Sequence, residues 1–226
     1  MHDLERLYSI RFSAADRARR DRIWQVLCED FFQQYIATTD TVLDLACGHG
    51  EFSRHIRAAR KIAVDLNPGS KDFLPAGVEF HLGSAADLAS IEASSVDVCF
   101  SSNFFEHLPS RESLDRVLAE SLRVLKPGGR YVAMQPNIRY APGEYWDYYD
   151  HVLPLTHLSC GEAFAKAGFE ICELIDRFVP LSTTSRLPQS PWLVRAYLRC
   201  RPAWRILGRQ FVIVGRKPNF RAPPRP

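Results

Sequence analysis

Short apolar runs recur along the chain, separated by polar turns that carry glycine or proline. Residues 41–46, 61–65, 78–82, 96–101 and 129–135 are such runs, each five to seven residues long. Runs of that length, rich in Val, Ile and Phe and bounded by turn residues, predict strands. Residues 50–58 and 111–125 read as helices, whereas the link 67–77 is too short for much of one. Ahead of the first strand, Ser13-Ala14-Ala15-Asp16 has the form of a helix start. Ile23, Trp24, Val26, Leu27, Phe31, Phe32, Tyr35 and Ile36 then fall at helical spacing, which predicts an amphipathic helix of about twenty residues. Further on, Ser159-Cys160-Gly161-Glu162 reads as a capping box opening a helix that ends at Gly168. Strands six and seven follow at 169–178 and 210–215. Strands alternating with helices imply an α/β fold around a mostly parallel sheet.

The length of 226 residues suits a single domain, 1–226, with enough chain for a substantial core. A hydrophobic share of 46% and a charged share of 24% are those of a soluble globular protein. No apolar run approaches the roughly 20 residues that span a bilayer. The start, Met1-His2-Asp3-Leu4-Glu5-Arg6, lacks the order of a secretion signal. Six cysteines without a C-x-x-C pair read as reduced thiols in a cytoplasmic protein, with no metal site indicated. The net charge of +3 hides an asymmetry: residues 1–176 hold 18 basic and 26 acidic residues, while 177–226 hold 11 basic and none acidic. The basic end either faces something anionic or complements the acidic body.

The densest chemical signal lies at Val42-Leu43-Asp44-Leu45-Ala46-Cys47-Gly48-His49-Gly50-Glu51-Phe52. A strand that ends at a glycine turn and leads into a helix is how an open α/β sheet makes a nucleotide pocket. Asp44 argues against a pyrophosphate ligand, and Ser53 stands where a dinucleotide site has its third glycine. An acidic rim suits a positively charged ligand. The segment resembles the first motif of the class I S-adenosylmethionine-dependent methyltransferases. The later segments add to that likeness: Val64-Asp65, Gly83-Ser84-Ala85-Ala86-Asp87-Leu88, Ser95 to Asn103, and Leu125-Lys126-Pro127-Gly128-Gly129. Within the class, the chain is most similar to the methyltransferase type 11 and ubiquinone-biosynthesis-like branch.

The resemblance implies a Rossmann-like seven-stranded sheet in the order 3-2-1-4-5-7-6, strand 7 antiparallel, with helices on both faces. It implies S-adenosylmethionine as cofactor and S-adenosylhomocysteine as product. The cofactor's neighbours would be Asp44, Ala46, Gly48, Gly50, Asp65, Leu66, Ala86, Asp87, Ser102 and Asn103, with Asp65 on the ribose hydroxyls and Asp87 on the adenine amino group. Asp65 can equally be a turn cap before Asn67-Pro68-Gly69, and Asp87 a solvent-facing loop residue. Residues 1–40 would form a helical cap, with Tyr8, Arg11 and Phe12 near the cofactor or serving as simple anchors.

Two segments exceed a minimal fold. Residues 136–157 crowd Tyr140, Tyr145, Trp146, Tyr148, Tyr149, His151 and His157 into one connection, which reads as a substrate lid or as rings packed for stability. Residues 181–208 interleave Trp192, Tyr197 and Trp204 with Arg195, Arg199, Arg201 and Arg205, with Pro202 breaking the helix. That composition suits an anionic acceptor or peripheral contact with a membrane. For chemistry, a general base is needed to take a proton from an oxygen or nitrogen acceptor. His151, beside Asp150, ranks ahead of His107 in Asn103-Phe104-Phe105-Glu106-His107, and His157 is a third candidate. Asn103 is not followed by Pro-Pro-aromatic, and Cys99 lies within a strand, which turns the reading away from amide, adenine and cytosine-C5 methylation. What remains is O-methylation of a small-molecule, glycan or lipid-linked acceptor. RNA methylation and a non-catalytic cofactor-binding module are the alternatives.

Overall fold

The computed structural model describes residues 14–180 and 190–219. Its centre is one sheet of seven strands in the order β3-β2-β1-β4-β5-β7-β6. The strands are β1 Thr41–Leu45, β2 Arg60–Asp65, β3 Val78–Leu82, β4 Val96–Ser102, β5 Leu125–Pro136, β6 Glu170–Ile175 and β7 Gln210–Arg216. All pairs are parallel except β5–β7 and β6–β7. The expected order and the antiparallel last strand are both present.

Among the described residues six α-helices accompany the sheet: α1 Ala14–Asp30, α2 Glu51–His55, α3 Arg111–Val124, α4 His157–Ala167, α5 Pro191–Arg199 and α6 Arg201–Leu207. Side chains alternate strictly across the central strands, so each face has its own core. On one face Leu43, Leu45, Cys99, Tyr131, Ala133 and Ile213 meet Leu114, Val117 and Leu118 of α3 and Phe164 of α4. On the other, Val42, Val98, Phe100, Val132 and Val214 meet α1, α2 and the α5–α6 pair. Aromatic rings dominate this second face. Phe52 stacks on Phe100 with centroids 3.6 Å apart, and Phe31 lies 4.2 Å from Phe178 and 6.0 Å from Trp204.

Several boundaries differ from the pattern-based expectation. The N-terminal helix stops at Asp30 and continues only as a 3-10 turn at Phe32–Tyr35. Helix α2 has five residues rather than nine. The 67–77 link forms a 3-10 turn at Pro68–Phe73 behind an Asn67 cap. The capping box of α4 is Thr156 with Ser159, not Ser159 with Glu162. The Pro127-Gly128-Gly129 turn lies inside β5 as a register shift, with Gly128 at φ +78. Pro202 does divide the basic segment, ending α5 and sitting in the first turn of α6, where its missing N–H loses nothing. No helix among the described residues is long and apolar enough to cross a membrane.

Gly215 of β7 sits under α4. A Cβ there would lie 2.7 Å from Phe164 Cδ1 and 3.1 Å from Phe169 Cβ. Gly215→Ala should destabilise the fold by about 1–3 kcal/mol through overpacking. The check is a lower urea midpoint at unchanged m-value.

Candidate active site

In the sheet order, β1 is flanked by β2 and β4, so the chain leaves β1 toward one side and β4 toward the other. This is the topological switch point, where the carboxyl ends of strands open a crevice for ligands. Beyond β1 the backbone turns sharply. Ala46, Gly48 and Gly50 have φ of +55, +54 and +68, and Gly50 accordingly precedes α2 as its N-cap. A Cβ on Gly50 would lie 2.7 Å from Leu74 Cδ2, whereas one on Gly48 meets nothing within 4 Å. Gly50 thus answers to its left-handed backbone and sits close to the movable end of Leu74. Gly48 faces open space, where a ligand could approach the backbone.

Asp65, at the end of β2, binds the same loop. Its Oδ2 accepts from the Gly48 N–H at 2.8 Å, and its Oδ1 from the Asn67 N–H at 2.8 Å. The turn-capping role thus exists, and each carboxylate oxygen keeps a further lone pair for a ligand hydroxyl. Leu66 beside it is 58% exposed, an apolar surface next to the crevice.

Asp44 is not on a rim. It is 4% exposed and accepts from Ser53 Oγ at 2.7 Å, so it anchors the first turn of α2. Burial pushes its carboxyl up to about 7, opposed by the Ser53 bond and reinforced by Asp65 and Glu51. A cation in the crevice would keep it ionised.

Asp87 lies at the surface of its loop. It is exposed, accepts from the Ala89 N–H at 3.3 Å, and with Ala86 lines a groove of about 480 Å³ formed by Arg116, Ala119, Glu120 and Arg123 of α3. The part of this loop that adjoins the end of β2 is Gly83, whose N–H donates to the Asp65 carbonyl at 2.9 Å, followed by Ser84. Ser84 carries no charge, so the sequence alone does not single it out.

At the end of β4, Asn103 adopts φ +47 and its N–H donates to the Met134 carbonyl. The Ser102 hydroxyl is buried with no hydrogen-bond partner among the described residues. The turn beyond is fixed from below. Gln135 Oε1 accepts from the N–H groups of Phe104 and Phe105 at 2.9 and 3.2 Å, and Gln135 Nε2 donates to Ser101 Oγ at 3.3 Å. Tyr131 OH closes this buried chain at 3.0 Å from Ser101 Oγ.

That turn presents Glu106 and His107 to the 136–157 segment. His107 Nδ1 lies 3.2 Å from Asp150 Oδ2 and 3.1 Å from the Asp150 carbonyl, and its Nε2 lies 3.9 Å from Glu106 Oε1. Asp150, the sequence neighbour of His151, orients His107. His151, 8% exposed, packs its ring against Tyr148, Tyr145 and His107, with centroids 4.7, 4.8 and 5.1 Å away. Burial pushes Glu106 up to about 7, while the His107 imidazolium pulls the other way. Burial would lower His107, but Asp150 and Glu106 outweigh it and leave its pKa raised. His157, the third candidate, starts α4 and bonds Asn137 Nδ2 at 3.0 Å, apart from this group.

The 136–157 segment combines both of its expected characters. Tyr145, Leu153 and Leu155 are buried in the body, whereas Trp146 and Tyr149 are 54% and 91% exposed. The basic segment also divides. Tyr197 donates to the Phe178 carbonyl, Trp204 is buried, and Arg195 pairs with Glu29 and Asp30 of α1, so these are packing residues rather than a free surface. Trp192 and Ile206 stay exposed beside Arg199, Arg201 and Arg205. Pro188, Tyr8, Arg11, Phe12, Ser13 and the tail from Arg221 lie outside the described residues.

Among known families, the methyltransferase domain matches residues 43–133, the span from β1 into β5. The demethylmenaquinone methyltransferase of Symbiobacterium thermophilum is 28% identical over 148 residues, covering 56% of this chain and 58% of that protein's length. Solved structures share the fold. In the complex of the Haloferax volcanii Trm112 methyltransferase activator with a methyltransferase, the matched chain superposes with a TM-score of 0.68 at 22% identity, over 92% of this chain and 95% of that one. A SAM-dependent methyltransferase from Archaeoglobus fulgidus gives 0.63 at 19% identity, over 85% and 92%. Geranyl diphosphate C-methyltransferase from Streptomyces coelicolor, bound to Mg2+, geranyl diphosphate and S-adenosyl-L-homocysteine, gives 0.58 at 18%, over 85% and 78%.

Proposed function

We propose that this chain, a class I S-adenosylmethionine-dependent methyltransferase by its matched domain and its sheet order, methylates an oxygen of an acceptor held between the β4 turn and residues 136–157. The observation that carries the oxygen assignment is the group Glu106, His107, Asp150 and His151, drawn together from two segments 43 residues apart. A sulfonium methyl is already activated, so transfer needs in-line placement of the nucleophile and a destination for its proton. A hydroxyl acceptor gives that group a task, since alcohols hold their proton at neutral pH.

The cofactor would sit at the β1–β4 crevice. Gly48 provides close backbone approach, Asp65 accepts from ribose hydroxyls, Leu66 flanks the base, and the buried Ser102 hydroxyl supplies a free polar group at the floor. Asp65→Ala should weaken S-adenosylhomocysteine binding by about 1.5–3 kcal/mol, because a charged acceptor and the Gly48 tether go together. Unchanged affinity by calorimetry would remove Asp65 from the ribose.

For the acceptor, the exposed Trp192 and Ile206 set among arginines support a lipid- or glycan-linked molecule that is anionic or lies at an anionic membrane. Labelled methyl from S-adenosylmethionine, followed into aqueous, lipid and RNA fractions of an extract, tests this reading. Label in the lipid or glycan fraction supports it; label confined to RNA or to a neutral soluble product refutes it.

A further inference from the structure

We propose that Glu106, His107 and His151 form a divalent metal site of the two-histidine, one-carboxylate kind, suited to Zn2+. The donor atoms of these three side chains all lie within 4.8 Å of one another. Ligands around Zn2+, each about 2.0–2.1 Å from the ion, stand about 3.3 Å apart in a tetrahedral arrangement, so a small inward movement of side chains completes the set.

Three further observations point to an ion. First, Glu106 is 2% exposed, and its Oε2 has no hydrogen-bond partner among the described residues. A carboxylate oxygen shielded from water and given no donor is stabilised when a cation meets it. Second, Asp150 fixes the tautomer of His107. With Nδ1–H directed at Asp150 Oδ2 and the Asp150 carbonyl, the lone pair belongs to Nε2, on the Glu106 side. A carboxylate that holds the far nitrogen of a liganding imidazole is the usual outer support of a metal-bound histidine. Third, the Tyr145 and Tyr148 rings fix the plane of His151, and the Val152 and Leu153 N–H groups donate to the Glu106 carbonyl at 2.8 and 3.1 Å, joining the two segments that supply the ligands.

Mixed imidazole and carboxylate donors select zinc or a neighbouring first-row ion over Mg2+ or Ca2+, which take oxygen ligands. Three protein ligands leave a coordination position open, as in catalytic rather than structural sites. The inference rests on the proposed O-methylation only in assigning that position to the acceptor's oxygen. There the ion would lower the hydroxyl's pKa, and the proton would leave to solvent while the oxygen lone pair attacks the methyl carbon and the sulfonium leaves as thioether.

The test uses full-length protein stripped with chelator and dialysed. Zn2+ is titrated by calorimetry, and Co2+ by its visible spectrum. One equivalent per chain is expected, with binding at least ten-fold weaker in Glu106→Gln and His151→Ala, weakened about 10–100-fold in Asp150→Asn, and unchanged in His81→Ala on β3. Retained S-adenosylhomocysteine binding and cooperative thermal unfolding certify that the variants are folded. Lack of stoichiometric binding by the unmodified protein, or binding undiminished in folded Glu106→Gln and His151→Ala, overturns the site. Methyl transfer is read separately. Stripped protein that transfers methyl at the full rate overturns the ion's role and leaves the methyltransferase reading intact. Stoichiometric binding without any transfer supports the ion site and counts against O-methylation.

Discussion

Changing His107 to alanine should lower methyl transfer to the true acceptor by about 10²-fold or more, with S-adenosylhomocysteine affinity unaltered. His107 touches every other member of its group. Asp150 holds its Nδ1, Glu106 faces its Nε2, and the His151 ring packs against it. The loss is expected whether the imidazole receives the acceptor's proton itself or holds an ion that promotes its release. Asp150→Asn should cause a smaller loss, because an amide can keep the ring's orientation while removing the charge. Initial rates with labelled S-adenosylmethionine, alongside calorimetry with S-adenosylhomocysteine, separate the two effects. A His107→Ala enzyme with undiminished turnover would dissociate this group from the chemistry.

The second large effect is expected at Gly48. Gly48→Val should abolish measurable cofactor binding while leaving a folded protein. A Cβ at this position meets nothing within 4 Å, so the fold has room for a branched side chain to start here, but that side chain would occupy the crevice next to Asp65. The φ of +54 adds strain of about 1–2 kcal/mol for a branched residue, too little by itself to unfold a domain of this size. Gly50→Val should behave differently: its side chain would collide with Leu74, so stability would fall along with binding. Thermal unfolding and S-adenosylhomocysteine calorimetry on both variants check the contrast.

The sheet was legible because each central strand repeats a two-sided apolar pattern, and because glycine turns follow β1 and precede the main body of β5. Burial of individual polar residues was less so. Asp44 reads as an acidic rim by its place in the motif, yet one strand residue earlier or later decides whether a side chain faces the crevice or the interior, and its carboxyl is spent on Ser53. Adjacency in sequence sets His151 beside Asp150 but gives no sign of His107, which only the fold brings under the Asp150 carboxylate. Asp87 draws the adenine assignment as the loop's carboxylate, and the fold holds it exposed beside α3, while Gly83 and Ser84 pass the end of β2. Interleaved arginines and aromatics in α5 and α6 could not reveal that Tyr197 and Trp204 are turned inward, because an amphipathic face looks the same whether it covers its own body or a partner.

The contact between α1 and the α5–α6 pair bears on how the chain comes to be made. Arg195 reaches back to Glu29 across 166 positions, and Phe31 and Phe32 are closed over by Phe178, with Trp204 against Phe31. During synthesis, the apolar face of α1 therefore waits for segments far downstream before it is completed. Phe32 can pack early against Phe52 and Phe100, whereas Phe31 gains Phe178 and Trp204 only later, and until then it is exposed to chaperones. Non-local closure of this kind sets a slow, late step in folding, and it makes the basic end of the chain the clasp that completes the acidic body.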